Sequence, residues 1–192
     1  DVSHTDNALG DVSWEKAESQ LQTEAVQTAL KKAALEGKDV DYILAGDLLN
    51  QCISSTFGLR SLGIPFLGQY GACSTMAQTL GLASLFVESG IARRAVAVTS
   101  SHFCSAERQF RFPLEYGGQR TPTAQWTATA AGSVVVGAHG RGEVKINAVT
   151  FGRIADLGIK DANNMGAAMA PAAAQTLHDY LTDTGASPSD YD

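Results

Sequence analysis

Positive charge is sparse in this chain and nowhere bunched. Its 14 Lys and Arg stand against 20 Asp and Glu, a formal net charge of −6. Without a basic block, binding to a polyanion such as nucleic acid is excluded as the chain's business; the densest basic cluster is Arg108, Arg111 and Arg120. Cysteine is equally scarce. Cys52, Cys73 and Cys104 are odd in number, far apart and without a C-x-x-C pair, which removes a disulfide framework and a zinc site and favours a reducing compartment. No apolar run reaches the length of a membrane span, so a soluble or membrane-peripheral chain is expected. Residue 1 is Asp with no signal-like stretch behind it, the mark of a processed, trimmed or incomplete chain. What remains is ordinary globular composition: 192 residues, 44% hydrophobic and 18% charged, enough for one large domain or two small ones.

The stretch Gln69-Tyr70-Gly71-Ala72-Cys73-Ser74-Thr75 organises the rest. Before it, Ile64 to Gly68 has strand character; after it, Met76 to Val87 is apolar on almost every face, the pattern of a helix enclosed by protein. Cys73 then falls in the first turn of that helix, among unpaired N–H groups and the positive end of the dipole, where a thiolate is favoured. It is a nucleophile, an anion-binding position, or a small residue filling a tight corner.

Along the chain, Ser13 caps a helix whose apolar stripe runs Trp14, Ala17, Leu21, Ala25, Ala29 and Ala33 and which ends near Gly37. Tyr42 to Ala45 is a buried strand stopped by Gly46-Asp47, with Asp47 either orienting a neighbour or capping the turn. Ser54 to Leu62 forms a short helix closed by Gly63, and Arg94 to Thr99 a second buried strand. This succession predicts a parallel, helix-covered sheet. Ser100 to Thr127 shows no clean periodicity and is either a functional segment or a dimer-interface loop. Ala128 to Val136 returns to small and β-branched residues. Turn residues 137–142 and the alternating run Glu143 to Val149 predict a β-hairpin and an antiparallel strand closing the sheet. Pro171 restarts a helix at its first position. Gln27-Thr28-Ala29-Leu30, Gly37 and Asp41-Tyr42 are echoed by Gln175-Thr176-Leu177, Gly185 and Asp190-Tyr191 at a nearly constant offset, the signature of a second β-α unit beginning where the sequence stops.

A repeated α/β domain with a Cys elbow feeding a buried helix resembles the thiolase-like superfamily of thiolases and ketoacyl synthases. Five blocks, Asp41 to Gln51, Gly71 to Thr75, Thr99 to His102, Ala106 to Arg111 and Met165 to Ala174, narrow the resemblance to the stage V sporulation protein AD family. It implies an α/β, thiolase-like layered fold with a helix-covered, mostly parallel mixed sheet. Residues 1–170 are then the N-terminal half without its first strand, and 171–192 a helix leading into a second half that lies outside this chain.

The resemblance further implies a homodimer that binds dipicolinic acid and is needed for its uptake into the developing spore. Proteins of the same spore transport operon would be its partners, and its place the forespore, soluble or peripheral to the inner spore membrane. No metal and no cofactor are implied. A small planar dianion asks for N–H donors, cations and a flat apolar wall. Cys73, Ser74 and Ser101 are the expected donors, Arg108, Arg111 and His102 the expected positive groups, and Phe103, Phe110 and Phe112 the wall. Plain alternatives stand beside these: His102 as a satisfied histidine near the core, and Arg108 and Arg111 paired with Glu107 or Glu115. Binding without turnover is the first expectation. The alternative is an acyltransferase in which Cys73 attacks a thioester.

Overall fold

The chain folds from Ser13 onward as its caps dictate. The computed structural model describes residues 1–110, 126–138, 144–161 and 164–191, the side chains of 108–110 lying outside that description. Ser13 is extended and its Oγ accepts from the Lys16 N–H, opening helix α1 (Trp14–Lys32) with Glu15 in its first turn and Lys31 and Lys32 in its last. The helix closes before Gly37. The Leu35 N–H donates to the Leu30 carbonyl and the Ala34 N–H to the Lys31 carbonyl, with Ala34 left-handed at φ 54°. That is a Schellman closure with alanine where glycine is usual. Its buried face is also displaced from the apolar stripe: Ala17, Glu18, Gln22, Val26 and Leu30 are buried, while Leu21, Ala25 and Ala29 are half-buried and Ala33 is exposed.

Strand β1 (Tyr42–Gly46) follows, then α2 (Ile53–Leu59), extended by a 3₁₀ turn at Arg60–Leu62 and closed by Gly63 at φ 65°, and then β2 (Phe66–Gly68). Helix α3 (Thr75–Glu88), β3 (Arg94–Ser101), α4 (Phe103–Phe110) and β4 (Ala130–Gly137) complete the sheet region. The four strands lie in the order β2-β1-β3-β4, the first three parallel and β4 antiparallel to β3. Asp41 ties the entry of the two central strands together, its carboxylate accepting from the Arg93 and Arg94 N–H groups at 2.7 and 3.2 Å.

Alternation along the central strands sorts side chains by size. Ile43 and Ala45 of β1 and Val96 and Val98 of β3 join Val26, Leu30 and Leu59 in the cluster beneath α1 and α2. On the other face Leu44, Ala95 and Ala97 meet Ala83 of α3, so small residues let that helix lie close to the sheet. Within this chain Met76 and Leu85 of α3 are exposed.

Three expectations are corrected. Residues 103–110, read as irregular, form α4, and residues 111–125 lie outside the described part. Residues 144–149 form no strand; the antiparallel strand is β4, paired with β3 rather than with a downstream hairpin arm, and Glu143 lies outside the described residues. The last helix, α5 (Met165–Thr184), starts six residues before Pro171, capped by the Asn164 side chain, which accepts from the Ala167 N–H at 3.2 Å.

Residues 1–144 and 145–192 are two compact units. In the second, Gly185 closes α5 at φ 67°, and Arg153 pairs with Asp179 at 3.0 Å. The chain's echo reappears here in another register. Glu36 and Asp39 form a reciprocal capping box after α1, and Ser187 and Asp190 form one after α5, so the counterpart of Asp190 is Asp39 rather than Asp41. Among the described residues no helix is long and apolar enough to cross a membrane.

Candidate functional site

At the C-terminal ends of the parallel strands, where open α/β sheets hold their ligands, the first unit has a cleft of about 600 Å³. Asp47 follows β1, Thr99 to Ser101 end β3, Ala72 and Cys73 of the link from β2 and Thr75 and Met76 at the start of α3 cross the mouth, and Trp126 to Ala128 supply a further side.

The elbow is built by local bonds. Gln69 is anchored to the sheet by its N–H on the Ala45 carbonyl at 2.8 Å, and its amide oxygen accepts from Gln78 Nε2 at 2.7 Å. The Gly71 N–H donates to Thr75 Oγ1 at 3.2 Å, and Ser74 Oγ donates to the Gly71 carbonyl at 2.7 Å. Between them Ala72 is left-handed at φ 49°, an unfavourable state for a residue with a Cβ. This bend leaves Cys73 exposed in a 3₁₀ turn, with the α-helix beginning only at Thr75, rather than inside the first helical turn. Ser74, at the end of that turn, is exposed and spends its hydroxyl on Gly71, outside the cleft lining. The other thiols differ. Cys52 is buried and its Sγ donates to the Gln69 carbonyl at 3.1 Å, burial and then the Asp47 charge holding the thiol above its usual range.

Ser101 lines the cleft and pins its far wall, donating to the Ala128 carbonyl at 2.6 Å. His102 points the other way. Its ring is wholly buried and stacks on Trp14 at 5.2 Å, its Nδ1 accepts from the Cys104 N–H, and Nε2 donates to the Asn7 carbonyl at 2.9 Å. Both nitrogens are used, so the side chain works as a strut between α1, α4 and the N-terminal segment. Arg108 lies on α4 by its backbone, its side chain outside the described residues, as are Arg111 and Phe112 in full and the Phe110 side chain. Phe103 backs Trp126, the rings stacked at 4.9 Å, and Trp126, 63% exposed, presents the aromatic surface to the cleft. Among the described residues no group of three His, Cys, Asp or Glu side chains could hold a metal ion.

Beneath the cleft lies a polar cluster that the apolar stripe of α1 conceals. Asp47 Oδ1 accepts from the Leu49 N–H at 2.8 Å, and its Oδ2 from the Ser55 N–H and hydroxyl at 2.8 and 2.6 Å. Glu18, wholly buried, accepts from Ser100 at 2.8 Å and from Ser105 at 2.9 Å. Gln22 Nε2 faces the Gly46 carbonyl at 3.1 Å and the hydroxyl oxygens of Ser55 and Ser100, each at 3.0 Å. Burial drives the Glu18 carboxyl up from 4.5 to about 7; the Ser100 and Ser105 hydroxyls resist, and the Asp47 charge adds to the rise. The available sequence signal was Glu18, Gln22, Val26 and Leu30 at strict i, i+4 spacing, which puts two polar residues on the face of two core residues.

The sheet with a Cys elbow at its strand ends has the thiolase-like layered fold. The tetronic acid condensing enzyme AbyA1 superposes with a TM-score of 0.60 at 20% identity, covering 91% of this chain and 60% of its own. The 3-oxoacyl-[acyl-carrier-protein] synthase III from Aquifex aeolicus VF5 gives 0.50 at 23% identity, over 66% and 39%. At these identities the likeness shows the fold alone. Sequence narrows it further: the Stage V sporulation protein AD family matches over residues 1–192, and stage V sporulation protein AD of Bacillus subtilis (strain 168) is 49% identical over 180 residues. The chain belongs to the stage V sporulation protein AD family. That alignment covers 94% of this chain and 53% of the relative, so the chain spans about half the relative's length.

Proposed function

We propose that the cleft before Cys73 binds dipicolinate without turnover, as part of a homodimeric protein that serves dipicolinic acid uptake into the forespore alongside membrane proteins of the same transport operon. The observation that carries the reading is Trp126, an exposed indole backed by Phe103 in the same cleft as Cys73 and the Ser101 hydroxyl. A planar pyridine dicarboxylate matches that composition in its ring, for which the indole is a flat apolar face; the Ser101 proton is already on the Ala128 carbonyl, so the carboxylates would be met by the cations and the Cys73 thiol named below. Asp47 lines the cleft too, but both its oxygens are turned onto Leu49 and Ser55. Arg108 and Arg111 are the proposed cations, and Cys73 and Ser101 the proposed contacts at the rim. Ser74 and His102 contribute by shaping the elbow and bracing α4.

Calorimetric titration of the full-length protein with dipicolinate tests this. Wild type binds. Trp126→Ala weakens binding by about tenfold, the scale of one lost ring stack, and Trp126→Phe restores most of it. Absence of heat with wild type would sink the proposal.

The exposure of Cys73 on a condensing-enzyme fold supports a second reading, acyl transfer through its thiol. Among the described residues no histidine lines the cleft. A covalent adduct on Cys73 after incubation with an acyl-CoA, seen by mass spectrometry and lost in Cys73→Ala, would favour the enzyme.

A further inference from the structure

Thr99 lies near the end of β3 on the face that carries the elbow. Successive side chains of a strand alternate between its two faces. Val96 and Val98 belong to the cluster beneath α1 and α2, whereas Ala95 and Ala97 belong to the cluster beneath α3. Thr99 and Ser101 continue that second row, and both line the cleft. The Ser101 hydroxyl donates to the Ala128 carbonyl at 2.6 Å, so its one proton is taken. Thr99 differs. Among the described residues its hydroxyl has no hydrogen-bond partner, and the oxygen is not enclosed: the residue is half-buried and its hydroxyl opens on the cleft.

Glycine flanks this hydroxyl on both neighbouring strands. Gly46 of β1 and Gly132 of β4 are the register partners of Thr99 and share its face. The two glycines have different causes. A Cβ on Gly46 would run into the Gln69 carbonyl and the Thr75 methyl, so glycine there lets the elbow come down on the sheet. A Cβ on Gly132 would meet nothing within 4 Å, and the φ of Gly132 is not left-handed. The β3–β4 register runs unbroken past it, so it marks no bulge. Neither turn geometry nor packing within this chain calls for glycine there, inside an eight-residue strand that it weakens. What remains is close approach to the backbone, by a ligand or by another stretch of protein. Gly132 lines the cleft, which favours the ligand.

The chemistry of the place selects its occupant. In-register neighbours without side chains offer the Thr99 hydroxyl no acceptor, so its proton is available to a bound molecule. Asp47 does not compete for it, since both its oxygens are held by Leu49 and Ser55. A carboxylate gains most from such a donor, because a hydrogen bond to an ionised group is about twice as strong as one between neutral groups. A flat ring can follow its carboxylate down onto the bare Gly132 backbone, and a side chain there would lift it away.

We propose that Thr99 and Gly132 form a carboxylate seat in the floor of the cleft: Thr99 Oγ donates its proton to one carboxylate of the ligand, and the bare Gly132 backbone lets the adjoining ring lie against β4. The ligand class is the aromatic dicarboxylate of the reading above, on which this inference rests. The seat adds a neutral donor to the cations and the thiol assigned there, and Gly132 sets the depth of the cleft and with it the selectivity for flat acids.

Calorimetric titration of the full-length protein with dipicolinate, run beside thermal melting of each variant, tests the seat. Wild type binds. Thr99→Val keeps the shape and removes the hydroxyl; it melts with wild type and binds about tenfold more weakly, and Thr99→Ser recovers most of the affinity. Gly132→Val puts a strand-forming residue where the chain leaves room, so it melts at or above the wild-type temperature yet binds at least about tenfold more weakly. A structural role for Gly132 would not give held stability together with lost affinity. A Thr99→Val or Gly132→Val protein that binds as wild type does overturns the seat and leaves dipicolinate binding intact. A Gly132→Val protein that melts well below wild type assigns the glycine to packing against another part of the full-length protein and overturns its role here. A wild type that does not bind overturns the functional reading itself. Should Thr99→Val fail to fold, the comparison of Thr99→Ser with Thr99→Ala decides.

Discussion

Glu18 ties the stability of the fold to pH. Its carboxyl is held at about 7 in the folded chain against 4.5 otherwise, so the folded state binds the proton more tightly than the unfolded one. The contribution is fully present below about pH 4.5, is lost as pH rises to about 7, and amounts to about 3 kcal/mol over that window. Denaturant midpoints of Glu18→Gln should lack this decline and exceed wild type above neutrality; parallel pH profiles for the two proteins would refute the assignment. Asp41 works with the opposite sign. The Arg93 N–H, then the Arg93 side chain and the Arg94 N–H, hold its carboxyl below the usual range, so its contribution is present at neutral pH and is lost in acid. Residues of this kind are the least legible in a sequence. Cys73 announced itself through the glycine before it and the apolar run after it, whereas Glu18 looks like any surface glutamate until Ser100, 82 positions away, is placed on it. His102 was legible as a residue following a strand, but not its direction, because Asn7 and Trp14 that fix its ring come from a polar lead-in and a distant helix.

At the scale of elements, closures and close approaches set the geometry. The Ala34 left-handed closure of α1 has a Cβ that costs about 1 kcal/mol, and the residue is exposed, so nothing is lost by removing it. Ala34→Gly should therefore raise stability by up to about 1 kcal/mol in chemical denaturation, and an unchanged or lowered midpoint would show that the closure is not strained. Gly46 is the converse. A Cβ there would run into the Gln69 carbonyl and the Thr75 side chain, backbone and elbow together. Gly46→Ala should destabilise the fold by about 2 kcal/mol or more and displace Cys73, which thiol-labelling rates would register. The central strands were readable because a buried parallel strand is a continuous apolar run: Tyr42 to Ala45 is one, bounded by Asp41 and Gly46, and Ala95 to Val98 is another, between Arg94 and Thr99. Helix α4 was not, although Phe103, Ala106 and Phe110 have helical spacing, because its charged residues continue into a stretch without period. The start of α5 was missed because Pro171 usually marks a first turn; here the Asn164 cap starts the helix earlier and the proline sits inside it.

At the scale of the whole molecule, the edge of the sheet bears on the proposed homodimer. β2 forms one edge of the sheet and pairs only with β1 among the described strands. It is three residues long, and Phe66 on it and Phe57 on the preceding helix are exposed, with Arg60 over the Phe57 ring at 5.3 Å. An open edge with exposed aromatics invites strand pairing, and copies of one chain meet most simply across a two-fold axis that sets like residues face to face. The proposed homodimer would then join two sheets through β2. Because the cleft is bounded by the link between β2 and α3, the interface would also brace the elbow, tying ligand affinity to dimerisation. The expected outcome is a dimer of the full-length protein by sedimentation velocity, dissociated by Phe66→Glu, which sets two like charges against each other at the axis. The same variant should bind dipicolinate more weakly, in proportion to the monomer present. A Phe66→Glu protein that remains dimeric would place the interface elsewhere, and a monomeric variant with full affinity would show that the elbow holds its shape unaided.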